Sequence, residues 1–214
     1  MSTDGPFVVG LVGRAGSGKS TVARALAAAG AEVIEADTIG HEVTDTDPAV
    51  RAALAAEYGP GAYRPDGTLD RPRVAARVFS DPEARARLDR LVHPRIVERI
   101  HARLAALREG GFRGVVVVDA ALMLDWGLER ACDVVLAVVA PGPDQVARLM
   151  RLRGWSEDET RRRLGVQRTN EQFRAAADQV LENHGSREQL ERAARDAYAR
   201  WMRAAAARVK GNGC

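Results

Sequence analysis

Val8–Thr21 reads VVGLVGRAGSGKST. A short apolar run enters a glycine-rich turn, and an amphipathic stretch leaves it. The turn fits G-x-x-x-x-G-K-[ST], with Gly13, Gly18, Lys19 and Ser20 in the fixed places. Such a turn wraps backbone N–H groups around phosphate oxygens, and the helix that follows presents its positive N-terminal end to them. The glycines allow backbone angles that a Cβ would obstruct. Lys19 is expected to reach the β- and γ-phosphates, and the Ser20 hydroxyl to bind Mg²⁺. Of 32 Lys+Arg only Lys19 and Lys210 are lysine, the other 30 being arginine. A compact ammonium fits between phosphates where a planar guanidinium would not.

Around this stretch the chain alternates strands and helices. Phe7–Val12 is an apolar strand, as expected of a parallel strand covered on both faces. Lys19–Ala29 is a helix ended by Gly30, and Ala31–Ala36 a second strand with Asp37 at its end. Ligands of open parallel sheets bind beyond the carboxyl ends of the strands, so Asp37 is expected to face the phosphate loop. It either accepts a proton there or caps the next helix. Residues 38–109 contain no convincing strand. A helix from Asp47–Pro48 to Tyr58, a Gly/Pro-rich loop, a capping box at Ser80–Glu83 and a helix kinked or restarted at His93–Pro94 are expected. Val115–Val118 is strand three, closed by Asp119, which either holds Mg²⁺ or caps a helix. Val134–Val139 is strand four, with a helix beginning near Asp144, and Gln179–Leu181 is a short fifth strand.

Residues 148–174 contain eight arginines, on two helices separated by Gly154–Trp155. Most are assigned to a solvated helix face, where Glu157, Asp158 and Glu159 can pair with Arg161–Arg163 at helical spacing. Arg148, with Arg151 or Arg153 as helper, is assigned to the phosphates. Asn183–Gly185 forms a turn, and Ser186 with Gln189 caps a last helix reaching about Val209.

At 214 residues, 46% hydrophobic and 29% charged, the chain has the composition of an ordinary globular protein. The net charge is only +3, with 29 acids scattered among the cations, which argues against a nucleic-acid partner. The start MSTDGP lacks the features of a signal peptide, and no apolar run approaches the roughly 20 residues of a membrane helix. Cys132 and Cys214 do not suggest a disulfide framework. A cytoplasmic protein, monomeric or weakly homo-oligomeric, without membrane association, is expected. There is no Asn-Lys-x-Asp sequence of the kind that reads guanine, which disfavours a regulatory GTPase.

Together these landmarks resemble the dephospho-coenzyme A kinases. The likeness rests on Gly16–Thr21 (GSGKST), Val33–Asp37 (VIEAD), Tyr58–Gly59 followed by Asp66–Arg71 (DGTLDR), Val78–Phe79, Asp81–Pro82, His93–Pro94, Gln167 and Asn183–Gly185. The resemblance implies an α/β P-loop NTPase of nucleotide-kinase type, with a parallel five-stranded sheet flanked by helices. Residues 1–37, 110–147 and 176–214 would form the core, 38–109 a helical acceptor-binding insert, and 148–175 a lid. It implies an ATP- and Mg²⁺-dependent phosphotransferase with an alcohol acceptor, acting on the 3′-hydroxyl of the dephospho-coenzyme A ribose. Lys19, Asp37 and Arg148 would be catalytic. Gly13, Ala15, Gly16, Ser17, Gly18, Lys19, Ser20, Thr21, Asn183 and Gly185 would bind nucleotide. Asp37, His93 and Arg71 would bind the acceptor, and Ser20 and Asp119 the metal. A P-loop kinase of a nucleoside, nucleotide or sugar acid is the alternative. Four features depart from the family pattern. Glu35-Ala36-Asp37 stands where Asp-Ala-Asp is usual, and His41 where an arginine is common. Ala121–Asp125 reads ALMLD instead of Pro-Leu-Leu-Phe-Glu, and Leu152 replaces a second lid arginine.

Overall fold

The computed structural model describes residues 5–211; the expectations for the MSTDGP start and for Cys214 lie wholly or partly outside them. The chain divides into two compact units, one of residues 1–34 with 105–214, the other Glu35–Leu104.

The larger unit is built on a five-stranded sheet of β1 (Phe7–Val12), β2 (Glu32–Glu35), β3 (Val115–Asp119), β4 (Val134–Val139) and β5 (Gln179–Glu182), in the order β2-β3-β1-β4-β5. The ladders β1–β3, β1–β4 and β4–β5 are parallel. Valine dominates the inner strands because a branched side chain suits a pleated surface buried on both sides. Alternate residues share a face. Val9, Leu11, Val115, Val117, Leu136 and Val138 therefore pack together against α1 (Lys19–Ala28) and α10 (Arg187–Gly211). From α1 this core takes Val22 and Leu26; from α10 it takes Leu190, Ala194, Ala197, Trp201 and Ala205. The α10 residues recur every three or four positions, one stripe of a helix. Each large apolar side chain buried this way contributes roughly 1.5–3 kcal/mol. Ser186 and Gln189 cap α10 reciprocally: Gln189 N–H donates to Ser186 Oγ (3.3 Å) and Ser186 N–H to Gln189 Oε1 (2.8 Å).

The parallel register places the functional chain segments. Leu11 lies beside Asp119, Val12 beside Ala137, and Val139 beside Glu182. The segments leaving β1, β3, β4 and β5 thus emerge at one edge of the sheet, the edge where such folds bind ligands. Beyond β3 comes a short helix α6 (Met123–Trp126), and beyond β4 come α7 (Gly142–Arg153), α8 (Glu157–Gly165) and α9 (Asn170–Ala176). The last helix was not expected. Its start is a capping box of Thr169 and Gln172 hidden among the arginines.

The smaller unit is helical: α2 (Ala36–Thr46), α3 (Pro48–Tyr58), α4 (Arg71–Ser80) and α5 (Pro82–Glu109), α5 continuing to Glu109 beyond this unit. Ile39, Val43, Val50, Leu54, Tyr58, Val74, Ile96, Ile100 and Leu104 are buried. Asp47 Oδ1 caps α3 by accepting from Ala49 N–H (3.0 Å) and Val50 N–H (3.2 Å). Two expectations are corrected here, and one of two alternatives is removed. Strand two is shorter, and Ala36 and Asp37 already belong to α2. The cap of α5 is Asp81, whose carboxylate accepts from Glu83 N–H (2.9 Å), while Ser80 ends α4. Pro94 does not restart the helix, which runs through it from Pro82 to Glu109; of the two alternatives, kink or restart, the restart is excluded. Apolar contacts of Val92, Ile96 and Ile100 on either side offset the backbone bond that proline removes. Among the described residues no helix is long and apolar enough to cross a membrane.

Candidate active site

The loop between β1 and α1 has the geometry of a phosphate cradle. Gly13 has φ +153° and Gly18 φ +102°, a conformation that side chains rarely adopt. A Cβ on Gly13 would stand 2.5 Å from Val138 O, and one on Gly18 2.5 Å from Asn183 Nδ2. The loop is thus pressed against the ends of β4 and β5, with no room for a side chain at either position. Asn183, buried just past β5, donates from Nδ2 to Ser17 O (2.7 Å). Ser17 itself is fully buried, and among the described residues its Oγ has no hydrogen-bond partner.

Lys19, the first residue of α1, forms an ion pair with Asp119 at the end of β3. Both side chains are mostly buried, 19% and 12% exposed, so the pair is shielded yet open to a ligand. Asp119 therefore reaches the loop, as a carboxylate held by Lys19. Ser20 is exposed, and Thr21 is partly buried with its hydroxyl 3.5 Å from Arg24 Nη2. A hydroxyl and a carboxylate beside one lysine are hard oxygen donors of the kind Mg²⁺ takes when phosphates and waters complete its shell. Among the described residues no group of three or more His, Cys, Asp and Glu gathers to hold a metal ion without such a ligand.

Arg148, on α7, donates from Nη1 to Gly16 O (3.1 Å), and its Nη2 lies 3.9 Å from Asp144. Ala15 N–H donates to Gln167 Oε1 (3.0 Å). Five other arginines of this segment are occupied. Arg161 pairs with Glu157, Arg162 and Arg163 pair with Glu159, and Arg163 also stacks over Trp155 at 4.2 Å. Arg168 pairs with Asp125, and Arg174 with Glu182. Arg151 and Arg153 are exposed. Gly185 stands where a Cβ would strike Gln189 Oε1, the acceptor that caps α10.

Three expected site residues belong to the smaller unit. Asp37 is exposed in the first turn of α2. The cap position is Glu35, so Asp37 is not the cap of that helix. A negative charge in a first turn is favoured by the helix dipole. Asp37 and His41 are one turn apart, and Thr44 and Asp45 continue the same side of α2. At that end Arg71 Nη2 donates to His41 O (3.2 Å), Thr44 Oγ1 (3.1 Å) and Asp45 Oδ2 (2.9 Å). Burial works against the charge on Asp45, but Leu69 N–H and Arg71 outweigh it and hold the carboxyl below its ordinary range. His93 Nε2 lies 3.4 Å from Asp89 Oδ1 on α5.

Several supporting residues escaped the sequence reading. Gln145 is fully buried, and its Nε2 donates to Asn170 Oδ1 (3.3 Å), while Asn170 Nδ2 donates to Ala140 O (2.7 Å). This pair braces α7 and α9 against the end of β4. A buried amide looks like any other polar residue in sequence, so only the fold identifies it. Asp45 was missed for the same reason. Gln167 was visible as a landmark, but not as a partner of the loop.

The sequence matches the dephospho-CoA kinase family model over residues 7–189. It is 43% identical over 183 residues to the dephospho-CoA kinase of Thermobifida fusca, covering 86% of this chain and 90% of that protein. It is 40% identical over 182 residues to that of Corynebacterium glutamicum, covering 85% and 93%. The crystal structure of a Thermus thermophilus protein superposes with a TM-score of 0.74 at 34% identity, covering 92% of this chain and 98% of that one. The dephospho-CoA kinase of Campylobacter jejuni superposes with a TM-score of 0.67 at 20% identity, covering 92% and 97%, a likeness of fold.

Proposed function

This chain belongs to the dephospho-CoA kinase family, and from that premise we propose that Lys19, Arg148 and Asp37 divide its reaction among them. The protein is an ATP-dependent kinase of dephospho-CoA, a small-molecule alcohol acceptor. The observation that carries the division of labour is the grouping of Lys19, Asp119 and Arg148 around a loop with no room for side chains at Gly13 and Gly18.

Phosphoryl transfer depends on positioning and charge stabilisation more than on covalent chemistry. Backbone N–H groups of the loop, the Lys19 ammonium and the N-terminus of α1 would hold the ATP phosphates. Ser20 and Asp119 would hold Mg²⁺, which when bound neutralises charge on the phosphate oxygens. Arg148 uses one Nη atom on Gly16 O and keeps further donors for the transferring group. Asp37 would take the proton of the ribose 3′-hydroxyl. Residues 38–109 would hold the acceptor, with Arg71 and His93 as contacts. All the hydrogen bonds of the Arg71 guanidinium among the described residues use Nη2, so Nη1 and Nε are available to an acceptor phosphate. Residues 148–175 would serve as a lid that excludes water. The pairing of Arg161, Arg162, Arg163, Arg168 and Arg174 with acids supports a protein without a nucleic-acid partner. A cytoplasmic monomer or weak homo-oligomer completes the reading.

The direct test is an ADP-release assay with and without dephospho-CoA, with the product identified by mass spectrometry and phosphorus NMR. Phosphate on the 3′-hydroxyl is expected, with AMP and adenosine poor acceptors. Faster phosphorylation of AMP or a sugar acid would replace the acceptor while keeping the kinase.

Arg148→Ala is expected to lower kcat more than it raises KM for ATP, because its free donors act on charge that develops in transfer. Arg162→Ala should change neither by more than about twofold, since an exposed pair with Glu159 contributes little. Steady-state kinetics of the two variants decide this. If they are indistinguishable, Arg148 has no special part.

A further inference from the structure

Three successive residues of the phosphate loop are hydrogen-bonded to the arginine-dense segment after β4. Arg14 Nη2 donates to Leu164 O (2.5 Å), Ala15 N–H to Gln167 Oε1 (3.0 Å), and Arg148 Nη1 to Gly16 O (3.1 Å). The middle bond differs in kind from its neighbours. The outer two use guanidinium groups, each of which has further N–H donors to offer an anion. The middle one consumes a backbone N–H, the donor that such a loop offers to phosphate. In this structure a neutral side-chain oxygen has taken it.

Gln167 is placed to give that donor back. It lies in the short connection between the end of α8 at Gly165 and the cap of α9 at Thr169. Its own N–H is anchored to Leu164 O (3.0 Å), the same carbonyl that receives Arg14. The side chain is exposed, as is Val166 beside it, so it can swing away without unpacking either helix. Leu164 and Phe173, one on each helix, stay buried and hold the two ends of the connection.

We propose that Gln167 is a latch displaced by nucleotide: its side-chain oxygen holds Ala15 N–H until a phosphate oxygen of ATP or ADP takes that donor. The exchange is favourable because a hydrogen bond to a charged oxygen is roughly twice as strong as one to a neutral amide. The freed Gln167 lets the 166–169 connection move with the bound phosphates, which couples occupancy of the loop to the conformation of the arginine-dense segment. The proposal rests on the reading of this loop as the nucleotide site. It does not depend on which acceptor is phosphorylated.

A latch that competes with phosphate lowers nucleotide affinity, so removing it has a signed consequence. ADP binding by calorimetry and Ala15 amide hydrogen exchange by NMR are measured for the parent protein, Gln167→Ala and Gln167→Glu. Gln167→Ala is expected to bind ADP about 2- to 10-fold more tightly, the worth of one hydrogen bond no longer broken on binding. Its Ala15 amide should exchange about tenfold faster without nucleotide. Gln167→Glu should bind ADP more weakly than the parent, since a carboxylate both holds the amide harder and repels phosphate. Unchanged or weaker ADP binding by Gln167→Ala makes Gln167 a brace and overturns the latch. Unchanged Ala15 exchange in that variant overturns it equally. A parent protein that binds no ADP removes the nucleotide reading and the latch together, whereas a parent that binds ADP beside an unimproved Gln167→Ala removes the latch alone.

Discussion

Replacing Lys19 by alanine is expected to leave a folded protein whose kcat is roughly one-hundredth to one-thousandth of the parent value, the usual loss when one donor to transition-state charge is removed. The fold should survive because the side chain of Lys19 contributes an ion pair with Asp119, while α1 is held by Val22 and Leu26 in the core. The chemistry should not survive, because charge on the transferring group has lost its nearest ammonium. Lys19→Arg tests the shape argument. A guanidinium is planar and wide, and the loop is closed on the ends of β4 and β5. Its activity should therefore lie much nearer to that of Lys19→Ala than to the parent. Thermal melting by circular dichroism and the ADP-release assay check both halves. Parent-like turnover in a purified, fully folded Lys19→Ala protein would take Lys19 out of the mechanism.

Asp37→Asn is expected to bind ATP as the parent does while losing transfer by about 10²- to 10⁴-fold, the usual contribution of a positioned general base. The substitution is nearly isosteric, and Asp37 is exposed, so packing is unaffected. Helix α2 keeps its start because Asp37 is not its cap; the cap position is Glu35, whose carboxylate accepts from Thr38 Oγ1 (3.0 Å). An amide cannot take the proton of the ribose hydroxyl, which is a poor nucleophile until that proton leaves. Single-turnover transfer to dephospho-CoA, with ATP affinity measured separately, is the required pair of experiments. Loss of ATP binding along with transfer would assign Asp37 to the nucleotide, and unimpaired transfer would leave it with no catalytic role.

What could be read from residues alone was local. The passage from β1 through the glycine turn into α1 follows from apolar run, glycine spacing and the single lysine within it, all within 14 positions. The caps at Asp47 and Ser186 follow in the same way, because a cap and the N–H it serves lie two or three residues apart. Asp119 at the end of a valine strand, and the acids facing Arg161–Arg163, were legible for the same reason. Even local reading failed where signals overlap. Ser80 and Asp81 compete as caps, and Asp37 passes from an expected strand end into a helix turn.

The partners of the loop belong to the tertiary structure. Lys19 meets Asp119 across 100 positions, Gly16 meets Arg148 across 132, Ala15 meets Gln167 across 152, and Ser17 meets Asn183 across 166. Sequence spacing cannot select such pairs, because strand order and register decide which chain ends arrive at one edge of a sheet. The order β2-β3-β1-β4-β5 sets β1 between β3 and β4, which brings Asp119 to one side of the loop and Arg148 and Asn183 to the other. The residues of a phosphate site were therefore determined by the sequence itself. The hydrogen bonds that hold that site, and the glutamine oxygen that occupies one of its donors, were decided by the packing of parallel strands.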